Sequence, residues 1–188
     1  RNVAPGWREA GLHALTHSIR SVEAASTPDG LARITVSVRI APPVHKRGFY
    51  CRYIYTIAGD GEVLLQVEGE PEGTWPDLLP KIGLTMTIPQ DMDQVTWSGR
   101  GPGEGYVDTK QAGRFGVWRR TVDELQTNYI MPQENGNRTD VSWVTLADAS
   151  GAGLLAVGDP TLDFSAHRYT VADLDAAQHD YELPTRDE

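Results

Sequence analysis

The stretch Leu31–Ala41, LARITVSVRIA, decides the fold. Ile34, Val36, Val38 and Ile40 alternate with Arg33, Thr35, Ser37 and Arg39. A β-strand sends successive side chains to opposite faces, so this alternation predicts a strand with one apolar and one wet face. Working outward, Phe49–Ile57 (FYCRYIYTI) and Glu62–Glu70 (EVLLQVEGE) read as two more strands. Gly59, Asp60 and Gly61 between them supply the conformations of a tight hairpin. Ile82–Ile88 (IGLTMTI) alternates again, and Gln94–Gly99 (QVTWSG) reads as a short strand. Val141–Asp148 and Leu154–Gly158 form a second predicted hairpin, with Gly151 and Gly153 in its turn, and Leu162–Tyr169 (LDFSAHRY) predicts a further strand. Helical signals are short: Thr121 with Glu124, and Thr170 with Asp173, have capping-box spacing. There is no internal repeat and no linker. The expectation is an all-β chain, a large antiparallel β-sandwich of at least eight strands, forming one domain over residues 1–188.

Composition bounds the function. The chain has 188 residues, 39% hydrophobic and 23% charged, enough to bury a core. A net charge of −9 argues against nucleic acid, because phosphate binding needs a basic face. A single cysteine, Cys51, excludes a disulfide framework and a cysteine-based zinc site, and its apolar surroundings make it a strand thiol. No apolar run reaches the ~18 residues of a membrane-spanning helix, so no membrane partner is expected. The chain opens at RNVAPGW without Met and closes at LPTRDE, which reads as a fragment of a larger protein.

Polar loops hold the candidate chemistry. Met131–Trp143, MPQENGNRTDVSW, gathers amide, carboxylate and guanidinium groups just before a strand. Glycoside hydrolysis needs two carboxylates about 5 to 9 Å apart, and Glu104 and Glu134 are the best local pair. Hydrogen bonds that stabilise the loop are the more ordinary use of such groups. Within the cluster, Arg138 is placed to pair bidentately with Glu134 or Asp140, and Asn135-Gly136 suits a turn with positive φ. His13 and His17 have the i, i+4 spacing of metal ligands on a helix, but their context fits the start of a strand equally well and lacks a third ligand. His167 and Tyr169 would share a face if FSAHRY is a strand, and an aromatic-edged polar face is what a sugar site offers. The loop Trp97–Lys110, WSGRGPGEGYVDTK, is glycine-rich but lacks the Gly-Lys-Ser/Thr of a P-loop.

Taken in order, PKIGL (Pro80–Leu84), VTWSGRGPGEGYVD (Val95–Asp108), FGVWRRTVDEL, YIMPQENGNRTDVSWVTL (Tyr129–Leu146) and FSAHRYTVADL (Phe164–Leu174) resemble the C-terminal, small-chain domain of glycoside hydrolase family 2 bacterial β-galactosidases. The resemblance implies a galactose mutarotase-like supersandwich, truncated here at its C-terminal strands. It implies a cytoplasmic bacterial parent enzyme that hydrolyses terminal β-galactosides such as lactose, with retention, through two glutamates in a separate barrel domain. No catalytic residue, cofactor or metal ligand is therefore expected in this chain, the parent's magnesium and sodium being bound mainly outside it. The expected partners are the other domains of the parent and galactosides, with self-association through an open sheet edge.

Two departures from the family pattern stand out, Gly105 in place of Asn and Thr109 in place of Arg. In the resemblance, the polar loop lines the concave side of the sandwich. Glu104, Glu134, Asn135, Arg138 and His167 are then the candidate sugar contacts or loop architecture. The rival readings are a freestanding carbohydrate-binding module and a mutarotase-like enzyme using His167 with Glu104 or Glu134 as acid and base.

Overall fold

The computed structural model describes residues 3–184; the ends of the expected 1–188 domain lie outside these residues. The chain is all-β, with two four-stranded antiparallel sheets. It divides into two compact units, Arg1–Leu84 and Thr85–Glu188, each holding one sheet.

In the first unit, a short helix α1 (Ala4–Glu9) precedes strands β1 (Thr16–Ser26), β2 (Ala32–Ala41), β3 (Gly48–Ile57) and β4 (Val63–Glu72), paired in that order. The alternation of LARITVSVRIA sets the register. Val38 lies opposite Ile19 and Cys51, and Val36 opposite Val22 and Tyr53, so apolar residues line up across the sheet. On the other face Ser37 lies opposite Ser21 and Arg52, Thr35 opposite Glu23 and Ile54, and Arg39 is ion-paired to Glu72 at 2.8 Å. The β3–β4 turn closes with Gly61 N–H donating to Ala58 O, Gly61 having φ +96°. Cys51 is buried, which raises its thiol pKa.

In the second unit, β5 (Gln94–Gly101), β6 (Arg114–Thr121), β7 (Arg138–Ala147) and β8 (Gly153–Phe164) pair in the order β6-β5-β7-β8. Val95, Trp97 and Val144 on one face of this sheet bury themselves with Val122 and Leu125 of the short helix α2 (Val122–Leu125) and with Val141. Trp118, Leu146, Ala156, Leu162, Phe164 and Ala166 pack against them. Both predicted capping boxes are closed. Thr121 and Glu124 cap α2, and Thr170 and Asp173 cap α3 (Val171–Ala176), where Asp completes the box as Glu does in the first.

Several expectations are corrected. Ile82–Ile88 alternates but forms no strand. Ile82, Leu84 and Met86 are exposed, and no described strand hydrogen-bonds to the segment. Alternation without a neighbour to accept the backbone bonds does not make a sheet. LDFSAHRY is not a separate strand: β8 runs unbroken through Pro160 and stops at Phe164, leaving His167 beyond the sheet. Gly153 is the first residue of β8, opposite Ala147, rather than part of the turn, which Asp148 and Ala152 close. Strand β6 escaped the sequence reading because Phe115, Val117 and Trp118 break simple alternation. His13 sits in a 3-10 turn and His17 in β1, so the i, i+4 helix geometry does not arise.

The chain is close-packed where β5 and β7 run on past the Ser98–Trp143 end of their pairing. A Cβ on Gly99 would lie 2.7 Å from Val141 Cα and 2.8 Å from Val141 Cγ2. Gly99→Ala is expected to destabilise the protein by about 1–3 kcal/mol through overpacking. Gly83→Ala, where a Cβ meets nothing within 4 Å, stays within about 0.5 kcal/mol of wild type. Urea unfolding of both variants checks this, and equal midpoints would contradict it.

Candidate functional site

The polar stretch that precedes β7 closes onto the Gly101–Gly113 loop and onto the chain leaving α2. Asn135 begins the arrangement. It is buried, its Oδ1 accepts the Thr127 N–H at 2.9 Å, and its Nδ2 donates to Gln133 O at 3.0 Å. The next residue, Gly136, has φ +72°, as the Asn-Gly pair predicts. The turn also needs a residue without a side chain, since a Cβ here would lie 2.9 Å from Leu125 O and 3.1 Å from His167 Cε1. Asn137 then clamps the facing loop: its carbonyl accepts the Gly105 N–H at 2.8 Å, and its Nδ2 donates to Gly105 O at 2.8 Å. Thr109 closes that loop from within by accepting the Tyr106 N–H at 2.9 Å. Gly105 and Thr109, set apart in the sequence analysis, thus both take part in the loop's backbone hydrogen bonds.

Glu104 crosses between the segments. One carboxylate oxygen accepts the Gly136 N–H at 2.7 Å, and the other accepts the Tyr129 hydroxyl. Burial pushes its pKa up, but the hydrogen bonds from Tyr129, Gly136 and Thr127 and the charge of Arg138 outweigh it, so the net shift is downward. Burial and the Glu104 and Glu134 carboxylates push the phenol of Tyr106 up to about 12, so it stays protonated. Glu134 itself is exposed.

Arg138 overturns the expected carboxylate pairing. Its guanidinium is buried and donates to three backbone carbonyls: Gly136 O at 2.5 Å, Pro102 O at 3.1 Å and Leu125 O at 3.3 Å. Its plane lies 5.4 Å from the centre of the Trp97 ring. Burial lowers its pKa to about 10, and it remains charged at neutral pH. Asp140 is held instead by Arg100 at 2.7 Å and Lys110 at 3.0 Å. It occupies the left-handed region at φ 53°, where the β7-β8 register shifts, and its backbone N–H donates to Asp163. Neither role is legible in the sequence, because an arginine binding carbonyls and one binding carboxylates leave the same letter.

The structure therefore brings Glu104, Asn135, Arg138 and His167 together around Gly136. The Nδ1 of His167 lies 3.2 Å from Gln126 Oε1. Because His167 is not in a strand, the expected shared face with Tyr169 does not form. Residues that the sequence did not single out, Tyr106, Leu125 and Tyr129, complete the cluster together with Asn137. Among the described residues, no group of three or more His, Cys, Asp or Glu could hold a metal ion, and no helix is long and apolar enough to cross a membrane.

The fold is that of an all-β protein of two antiparallel sheets, with polar loops knitted to the end of one of them. Residues 2–188 match the family model described as the beta galactosidase small chain, and the chain belongs to that family. It is 34% identical over 181 residues to a beta-galactosidase of Priestia megaterium, covering 96% of this chain and 17% of the relative. It is 31% identical over 183 residues to a beta-galactosidase of Arthrobacter sp., covering 95% and 17%. A Vibrio cholerae beta-galactosidase is 40% identical over 136 residues, which is 72% of this chain and 12% of the relative. The chain thus spans less than a fifth of the length of these relatives.

Two outcomes follow from this geometry. Arg138→Met leaves three carbonyls without their donor and is expected to cost about 3 kcal/mol in urea unfolding. The depressed pKa of Glu104 means that its contribution to stability is complete above the ordinary glutamate value of 4.5. That contribution is lost as the pH falls through the lower folded value. Glu104→Gln is therefore expected to flatten the acid limb of the stability profile below that pH; an unchanged limb would contradict the placement.

Proposed function

We propose that this chain is a non-catalytic supporting domain of a β-galactosidase, giving scaffold and interface to an enzyme that hydrolyses terminal β-galactosides. The observation that carries this reading is the closure of the polar cluster on its own backbone. Glu104 accepts from Gly136 and Tyr129, Asn135 serves Thr127 and Gln133, and Arg138 serves three carbonyls. A catalytic acid or base needs a proton-transfer path to substrate and a pKa near the working pH. Glu104 has neither: both its oxygens are engaged, and its pKa is shifted downward. The retaining hydrolysis implied by the family resemblance belongs to two glutamates on a barrel domain elsewhere in such an enzyme, together with its magnesium and sodium. A cytoplasmic place goes with the same reading.

Contact with galactosides is a second reading, supported by the exposure of Glu134 on the polar loop. In that reading the loop touches sugar bound largely by the rest of the enzyme, and the chain acts within one domain of it. Self-association through the open edges of the two sheets is the third element, because edge strands present unpaired backbone groups.

The isolated chain is expected to leave a chromogenic galactoside unhydrolysed and to show no heat of binding on titration with galactose or lactose. Binding that disappears in Glu134→Ala would move the assignment to a carbohydrate-binding module. Interconversion of galactose anomers that disappears in His167→Ala would move it to a mutarotase-like enzyme. Sedimentation of the chain at rising concentration should show association, and a monomer at every concentration would remove that element alone.

A further inference from the structure

The sheet of the first unit divides its residues between an apolar face, on which Ile19 and Val22 are exposed, and a face carrying Arg33, Thr35, Ser37 and Arg39. The sheet of the second unit does not. Its inner face buries Val95, Trp97 and Val144 against Leu125 and Val122. Its outer face should then be polar, since an antiparallel sheet that packs on one side alternates apolar and polar residues. Instead the cross-strand register sets Val117, Ser98, Trp143 and Val157 in one row across all four strands. The adjacent row runs Arg119, Thr96, Thr145 and Leu155. Phe115, next on the same face of β6, lies under the guanidinium of Arg100 at 4.5 Å. Phe115 and Val117 are each 66% exposed, Leu155 59% and Val157 69%, and Trp143 is half-buried.

Strand β5 brings the polar Ser98 and Thr96 to this face, so its apolar side chains form two groups, Phe115 with Val117 on β6 and Trp143 with Leu155 and Val157 on β7 and β8. Exposed apolar groups of this kind mark an interaction surface. A sheet apolar on both faces has the sequence signature of an inner layer covered on both sides. Arg119 gives it a charged margin, while Arg100 covers Phe115 with its guanidinium already ion-paired to Asp140, so polar groups border an apolar centre as at an interface. The chain matches only 17% of the length of its 34%-identical relative, so in a protein of that length most of the polypeptide is available to cover it.

We propose that this face, centred on Val117, Trp143 and Val157, is the seat of an apolar layer contributed by the remainder of a β-galactosidase polypeptide, which makes this sheet an inner layer of the assembled enzyme. This rests on the reading of the chain as a domain of such an enzyme. The occupant presents apolar side chains at its centre and an acidic group opposite Arg119. The polar knot around Gly136 then holds the loop at one end of the sheet while the face receives the partner layer.

Cysteine labelling tests this, because the chain's own thiol, Cys51, is buried. Val157→Cys is placed in the chain alone and in a Priestia megaterium β-galactosidase whose matching segment is replaced by this chain. Its maleimide reactivity is compared in each with that of the denatured protein, and the labelled peptide is identified by mass. The expected result is free reaction in the isolated chain and at least about tenfold slower reaction in the long polypeptide. Equal rates in the two would overturn the proposal. Protection already present in the isolated chain would overturn it too, by showing that a second copy or the chain itself covers the face.

Val117→Lys provides a second reading that does not depend on labelling. It should leave the urea midpoint of the isolated chain unchanged and lower the thermal midpoint of the long polypeptide, and an unchanged thermal midpoint there would count against the proposal. Hydrolysis of a chromogenic galactoside by the replaced enzyme reports separately on the domain reading. A folded enzyme without activity would weaken that reading while the labelling still reports on the face.

Discussion

The buried guanidinium of Arg138 is the interaction on which the second half of this chain depends. It lies over Trp97, at the heart of the sheet core, and binds carbonyls of three separate segments: the glycine-rich loop at Pro102, the end of α2 at Leu125 and the polar turn at Gly136. A buried charge is costly unless its donors are engaged, and here backbone carbonyls engage Nη1 and Nη2, while Nε has no partner among the described residues. Glu104, Asn135 and Asn137 then close the surrounding backbone. Loops that would otherwise be free are held to the end of the sheet by groups that resemble catalytic chemistry and act as architecture.

The two sheets solve the problem of their faces differently. The first divides its residues between an apolar and a polar side, as LARITVSVRIA requires. The second has no such division, because its inner face is satisfied by α2 and the segment around Phe164 while Val117, Trp143 and Val157 point the other way. A domain that is a minor part of a long enzyme can carry such a surface, since the surface is covered once the whole chain is folded.

Much of the fold was legible. Alternation located β2, β3 and most of β4, β5 and β7, because a half-buried strand writes its period directly into its residues. The two capping boxes were legible for the same local reason: both partners lie within three residues. The expected number of strands was met with a different membership. Ile82–Ile88 has the pattern without a neighbour, while β6 has a neighbour without the pattern. Of the five residues the sequence singled out, Glu104, Asn135, Arg138 and His167 meet around Gly136, and Glu134 is exposed. The pairing partners were not legible: Arg138 binds carbonyls, and Asp140 belongs to Arg100 and Lys110.

By itself the sequence determined the all-β class, the hairpin turns, the capped helical turns and the positive-φ glycine after Asn135, because each rests on interactions within a few residues or on side-chain period. Its ordered motifs also carried the family. The tertiary structure alone decided which strands pair across long separations and where the buried guanidinium finds its acceptors. It alone decided that the second sheet leaves an apolar face uncovered. Those outcomes depend on which distant segments are brought together, and neither the local period nor the chemistry of a single residue encodes that choice.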